Sequence, residues 1–182
     1  WIGMLRSTNL ALSKLTTFVF DFENVEHVAG SGLRVFQGPG ASHLCPNWGT
    51  ARDHVEGIMT DRLKDKYSGK DGSAAVYSMT YDEFQTKVHT PDNYIVTEKS
   101  YLITETSTLE WDIRQVVDGK EDNYSIIVSE DGVNFREVWY ERYSNSTGAT
   151  KAYSLAGEAG KELYIGFRHH EITYGGALCL DN

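Results

Sequence analysis

Hydrophobic and polar residues alternate with a period of two along much of this chain. The clearest run is Thr108-Leu109-Glu110-Trp111-Asp112-Ile113-Arg114. Leu109, Trp111 and Ile113 share one face and Glu110, Asp112 and Arg114 the other, the pattern of a half-buried strand with Trp111 in the core. Thr16–Phe22 reads the same way, with Phe18, Phe20 and Phe22 on one face. Further strands are predicted at 33–37, 74–79, 93–97, 122–129, 134–143, 151–155, 162–169 and 177–181. Asp118-Gly119 and Asp131-Gly132 are turn dipeptides between neighbouring strands. Helical spacing appears only over 51–67, where Val55, Ile58, Met59 and Leu63 fall on one side and Gly57 opposes the helix. Residues 24–50 are rich in Gly, Ser, Pro and Asn and read as long loops over short strands, and 64–72 reads as a charged, solvated loop. About nine strands with short turns predict an all-β fold. The expected architecture is an antiparallel two-sheet β-sandwich of jelly-roll type with one short helix. A single domain is expected over 1–182, with 1–15 as an N-terminal extension.

Composition narrows the classes. With 40% hydrophobic and 24% charged residues, the chain is expected to fold rather than remain disordered. A net charge of −9 argues against nucleic acid, which needs clustered cations, and is compatible with carboxylate-ligated cations. No apolar run approaches the ~20 residues of a membrane span, so no membrane insertion is expected. The two cysteines, Cys45 and Cys179, either pair in an oxidising compartment or stand as separate thiols; two alone give no framework, and the unpaired reading is favoured.

Several residues invite a chemical reading. His169 and His170 are adjacent on a predicted strand, so they point to opposite faces and do not readily ligate one ion. No nucleophile elbow, zinc-protease helix or phosphate-binding glycine loop is present, and no catalytic residue is assigned. Two carboxylates converging in space, as glycoside hydrolysis needs, are not visible in a sequence. Trp48 and Trp111 read as core. Trp139 and Tyr143 share a face with Phe135, opposite Arg136, Val138, Tyr140 and Arg142. Exposed aromatics on such strands would stack on sugars or anchor a protein partner; buried ones would be core. Pro91 fixes the start of a strand, with Asp92 or Asn93 capping the turn through local backbone bonds. Asn145-Ser146-Thr147 fits a glycosylation sequon but reads as a polar turn.

The order and spacing of Pro91-Asp92-Asn93-Tyr94, the Ser-x-Asp-Gly hairpin at 129–132, Phe167-Arg168-His169 and the terminal Asp181-Asn182 resemble the cleaved adhesin domain, also known as the choice-of-anchor J domain. These are modules of bacterial surface proteins, including the adhesin regions of gingipains and haemagglutinins. The resemblance spans about 17–182, is good from 91 onwards, and is loose over 25–75, so 24–72 is the divergent region. It implies a non-catalytic adhesin or binding module of a larger secreted or cell-surface protein, binding host protein or glycan through loops at one end of the sandwich. The alternative is a carbohydrate-binding module attached to a glycoside hydrolase or other secreted enzyme. The first residues, Trp1-Ile2-Gly3, show no signal, which is expected to lie elsewhere in the parent together with its other domains. The resemblance further implies a structural Ca²⁺ between the first and last strands. Its ligands here would be Asp21, Glu23, Asn24, Asp181 and Asn182, with Asn182 replacing the second acid of the family's terminal pair. The family's Asp-Gly-Asp turn is missing between 24 and 47, which puts any second cation site in doubt.

Overall fold

The period-two pattern is realised as antiparallel ladders. The computed structural model describes residues 18–20, 22–23, 26–54, 63–82 and 86–181. In chain order these contain β1 Leu33–Gln37, α1 Ala51–His54, β2 Val76–Met79, β3 Tyr81–Asp82, β4 Lys87–Val88, β5 Asp92–Thr97, β6 Tyr101–Leu102, β7 Thr108–Gln115, β8 Asp122–Ser129, β9 Arg136–Tyr143, β10 Ala149–Ser154, β11 Glu162–His170 and β12 Ala177–Asp181. One sheet has the order β1-β5-β11-β8-β9, with β6 added to β11; the other is β10-β7-β12-β2, and β3-β4 forms a small hairpin. The chain is therefore the all-β, two-sheet sandwich that the alternation implies.

The two sheets meet over a shared core. Ile95, Tyr124, Ile126 and Phe167 of the larger sheet face Val76, Trp111, Ile113, Leu178 and Leu180 of the smaller. Trp111 lies edge-on to Trp139 at 5.8 Å and to Tyr124 at 6.4 Å, the geometry aromatic quadrupoles prefer. Trp48 is buried as expected, and its indole N–H donates to Asn93 O. A β-bulge at Ile126/Ile127 shifts the β8–β9 register. The extra residue reverses the alternation of β9 across it. Trp139 and Tyr143 therefore point inward, whereas Phe135 packs against Phe36 and Tyr94 on the outer surface. The shared face expected for these three residues is thus corrected.

A further layer covers the smaller sheet. Leu63, Tyr67 and Ala51 pack on Ala75, Tyr77, Met79, Ala177 and Cys179, with Tyr67 stacked on Tyr77 at 4.3 Å. Residues 51–54 and 63–66 of the expected helix are helical, and 55–62 lie outside the described residues. The solvated loop expected at 64–72 is not one: Tyr67, Ser68 and Gly69 are buried. One aromatic ring anchors the segment despite its charged neighbours. Residues 18–20 and 22 are not in a strand either. Their rings pack singly instead of along a ladder: Phe18 on Tyr101, Phe20 over Gly32, and Phe22 in the core.

Strand direction sorts the loops into two groups. Loops 38–47, 80–91, 116–121, 144–148 and 171–176 gather at one end, here the upper end. Loops 98–107, 129–135 and 155–161, with the approach to β1, gather at the lower end.

Candidate functional site

The terminal acids meet at one corner, on the outside of the smaller sheet. Asp181 closes β12, and its Oδ2 accepts the Ser73 hydroxyl. Glu23 Oε1 accepts the Ala74 N–H at 2.7 Å. The two carboxylates therefore converge on adjacent residues of the segment that leads into β2. Gly69 leaves room there: a Cβ on it would sit 3.0 Å from Asp181 Oδ2. Asp21, Asn24 and Asn182 lie outside the described residues. Sequence reading missed Asp112, which pairs in register with Asp181 across β7–β12 and so faces the same side. Thr150 Oγ1 donates to Asp112 Oδ1 at 2.5 Å, and Lys70 Nζ lies 3.4 Å from Oδ2. Among the described residues no group of three or more His, Cys, Asp or Glu side chains is poised to hold a metal. The corner does offer hard carboxylate oxygens on neighbouring segments, the donor type Ca²⁺ prefers.

The histidines point to opposite faces, as their spacing requires. His169 turns inward, where Nδ1 lies 2.8 Å from Ser78 Oγ and Nε2 lies 3.1 Å from Asp122 Oδ1. Asn93 Nδ2 donates to Ser78 Oγ, and Gln115 Nε2 donates to Asp122 Oδ2. This is a serine–histidine–carboxylate line, but all three residues are 0% exposed, so no substrate reaches Ser78. It ties β2 of one sheet to β8 and β11 of the other. His170 turns outward to Ser125 Oγ at 2.6 Å. Burial, then the Arg168 charge, holds its pKa below the ordinary histidine value.

Asp92 and Asn93 do not make the local caps expected of them; their partners are distant in sequence. Asp92 accepts the Gly40 N–H at 2.9 Å and Arg168 Nε at 2.7 Å. Burial would raise its pKa, but these two partners hold it below the usual carboxylate range. Asn93 donates to Pro46 O at 2.7 Å. Together they tie loop 38–47 to the larger sheet. Cys45 and Cys179 are both buried and unpaired, with burial pushing the thiols up to about 11 and about 12. Thiols so far from ionising are poor nucleophiles.

Backbone strain concentrates at the upper end. Leu44, Thr86, Glu171 and Tyr174 are the non-glycine residues with positive φ among those described, and all four sit in upper-end loops. Each such residue costs roughly 1–2 kcal/mol. The loops carrying them are cross-braced: Ser42 N donates to Thr90 O at 2.8 Å, and Thr90 and Thr173 hydroxyls lie 2.7 Å apart. The sequence carries no signal for this strain, because none of the four is glycine or asparagine.

The interior aromatics do not form a binding platform. Trp111 and Tyr124 are buried and Trp139 packs against them. On the outer face Phe36 and Tyr94 stack against each other at 4.6 Å, so they present edges rather than a flat surface.

Comparison with known proteins places these features. The family model of the Cleaved Adhesin Domain matches residues 53–182. The chain is similar in structure to the K1 cleaved adhesin domain of Lys-gingipain from Porphyromonas gingivalis W83. The TM-score is 0.68 at 20% identity, covering 91% of this chain and 95% of that one. The K3 domain of the same protein gives a TM-score of 0.65 at 19% identity, covering 90% of this chain and 95% of that one. At these identities the likeness is one of fold. No curated protein matches the chain.

Proposed function

The chain belongs to the Cleaved Adhesin Domain family, and on that footing we propose that it is a non-catalytic adhesin module of a secreted or cell-surface bacterial protein. It would form one sandwich unit of a larger parent and bind host protein or glycan through its upper-end loops. The supporting observation is the strain: four non-glycine residues are held at positive φ in loops of one end. Strain of this kind is retained where a loop shape serves recognition, and cross-bracing lowers the ordering cost of binding. A Ca²⁺ at the Glu23–Asp181 corner would clamp the first and last segments to the chain that leads into β2. Asp21, Asn24 and Asn182 are the further oxygen ligands the sequence offers.

A solid-phase screen of the chain against matrix proteins, haemoglobin and glycans tests the binding reading, and binding to none of them contradicts it. The metal is tested by melting the chain in EDTA and again in millimolar Ca²⁺. An ion present at about 100 times its Kd stabilises by ~2.7 kcal/mol, a rise of roughly 5–10 °C for a chain of this size. Glu23→Ala or Asp181→Ala should remove the rise; equal melts with and without Ca²⁺ sink the metal proposal.

A further inference from the structure

An open cleft of about 510 Å³ lies at the upper end between loops 116–121, 144–148 and 171–176. Its volume lies within the range of small-ligand sites. Its most exposed ring is Tyr174, 54% exposed although Tyr81 meets it edge-on at 5.6 Å. The backbone holds this ring out at φ 64, a conformation a tyrosine rarely adopts. Lys120 Nζ stands 4.3 Å from the ring centroid. Asp118 and Glu121 line the same cleft, with Ser144 and Ile172 opposite. Glu121 is matched by Arg142 at 3.5 Å, and Asp118 accepts the Ser146 hydroxyl at 3.1 Å.

This set of groups selects a ligand class. An anion would face the Asp118 and Glu121 carboxylates. A cation would be repelled by the Lys120 ammonium beside the tyrosine ring. An uncharged polyol suits both: its hydroxyls can donate to carboxylates and accept from an ammonium, and its C–H face can lie on an aromatic ring. We infer that this cleft binds a neutral pyranose of a glycan, which takes the place of the Lys120 ammonium on the Tyr174 ring and is hydrogen-bonded by Asp118, Glu121 and the displaced Lys120. The inference rests on the binding-module reading and specifies its ligand. It also separates the site from the sheet interior, whose aromatics are packed away.

The test is a titration of the isotope-labelled 182-residue chain with lactose, maltose and cellobiose, with sialyllactose as the anionic control, followed through the amides of Lys120, Tyr174 and Gly175. At least one neutral disaccharide should shift these amides saturably, and bind more tightly than sialyllactose. Tyr174→Gly removes the ring while allowing the same φ, so the fold is kept; it should weaken binding roughly tenfold or more. Lys120→Ala should weaken it less. Neutral disaccharides that leave these amides unmoved at millimolar concentration overturn the inference, as does Tyr174→Gly binding like the parent. A protein ligand bound equally by parent and Tyr174→Gly, with no sugar bound, overturns the cleft and leaves the binding-module reading intact. Failure to bind any ligand at all removes both.

Discussion

The two ends of the sandwich solve the same problem, turning the chain between strands, in different ways. At the lower end every residue with positive φ among those described is a glycine: Gly30, Gly32, Gly132 and Gly160. The hairpin at 129–132 is typical of it. Gly132 adopts φ 72, and Asp131 caps the turn by accepting the Asn134 and Val133 N–H groups at 2.8 Å. These bonds, the Asn134 backbone first, hold the Asp131 pKa well below the carboxylate range. At the upper end Gly119 and Gly148 turn their loops in the same way, but Leu44, Thr86, Glu171 and Tyr174 also take positive φ, without glycine's freedom. The lower end is built to close the fold at least cost. The upper end keeps exposed side chains where geometry disfavours them, and hydrogen bonds between the loops brace the backbone there. On the proposed reading, that difference separates turns kept for stability from turns kept for what they present.

Four changes test this contrast. The largest effect belongs to Asp122, the buried base on which the upper loops rest. Its carboxylate takes His169 and Gln115, and a Cβ on Gly175 would collide with it. Asp122→Ala leaves those groups buried without a partner and should destabilise by about 3–5 kcal/mol in urea unfolding. Acid comes next. His170 has a depressed pKa in the fold, so the unfolded chain takes up its proton first. Its contribution is complete above the unfolded value near ~6.5 and is lost as pH falls below it, and Asp92 follows near ~4. Melting temperature should therefore fall in two stages between about pH 6.5 and 3; a flat profile down to about pH 5 would remove His170 from this account. Third, Gly132→Ala puts a Cβ at positive φ and 3.0 Å from the Tyr164 ring. It should cost about 1–2 kcal/mol and leave ligand binding unchanged. The smallest change has the opposite sign. Leu44 is 66% exposed at φ 61, so Leu44→Gly relieves strain and loses little packing. It should stabilise by roughly 0.5–1 kcal/mol, since the strain released exceeds glycine's entropy.

How much of this was legible in the sequence follows the same physics. From β5 onwards the longer strands match the expected ranges within a few residues, while the two-residue β6 is not expected; β10 alternates in exposure, whereas β8 is buried on both faces and is marked instead by its run of Tyr, Ile and Val between turns. The Phe18–Phe22 alternation misled, since rings can pack singly as well as along a ladder. The buried segment at 67–69 was hidden by the lysines and aspartates around it. The β9 faces were misassigned because one bulged residue reverses the parity of everything beyond it. At the corner, only the family resemblance brings Glu23 to Asp181, and the alternation of β7 marks Asp112 as no more than an outward residue. Ser78, Asp122 and His169 lie on three strands far apart in the chain, and no spacing rule brings them together.

Recognition is proposed to belong to the strained upper end. Mapping amide shifts on the labelled chain with any ligand from the binding screen tests it most directly. The account predicts shifts confined to loops 38–47, 80–91, 116–121, 144–148 and 171–176. Shifts centred on loops 98–107, 129–135 and 155–161 would contradict it.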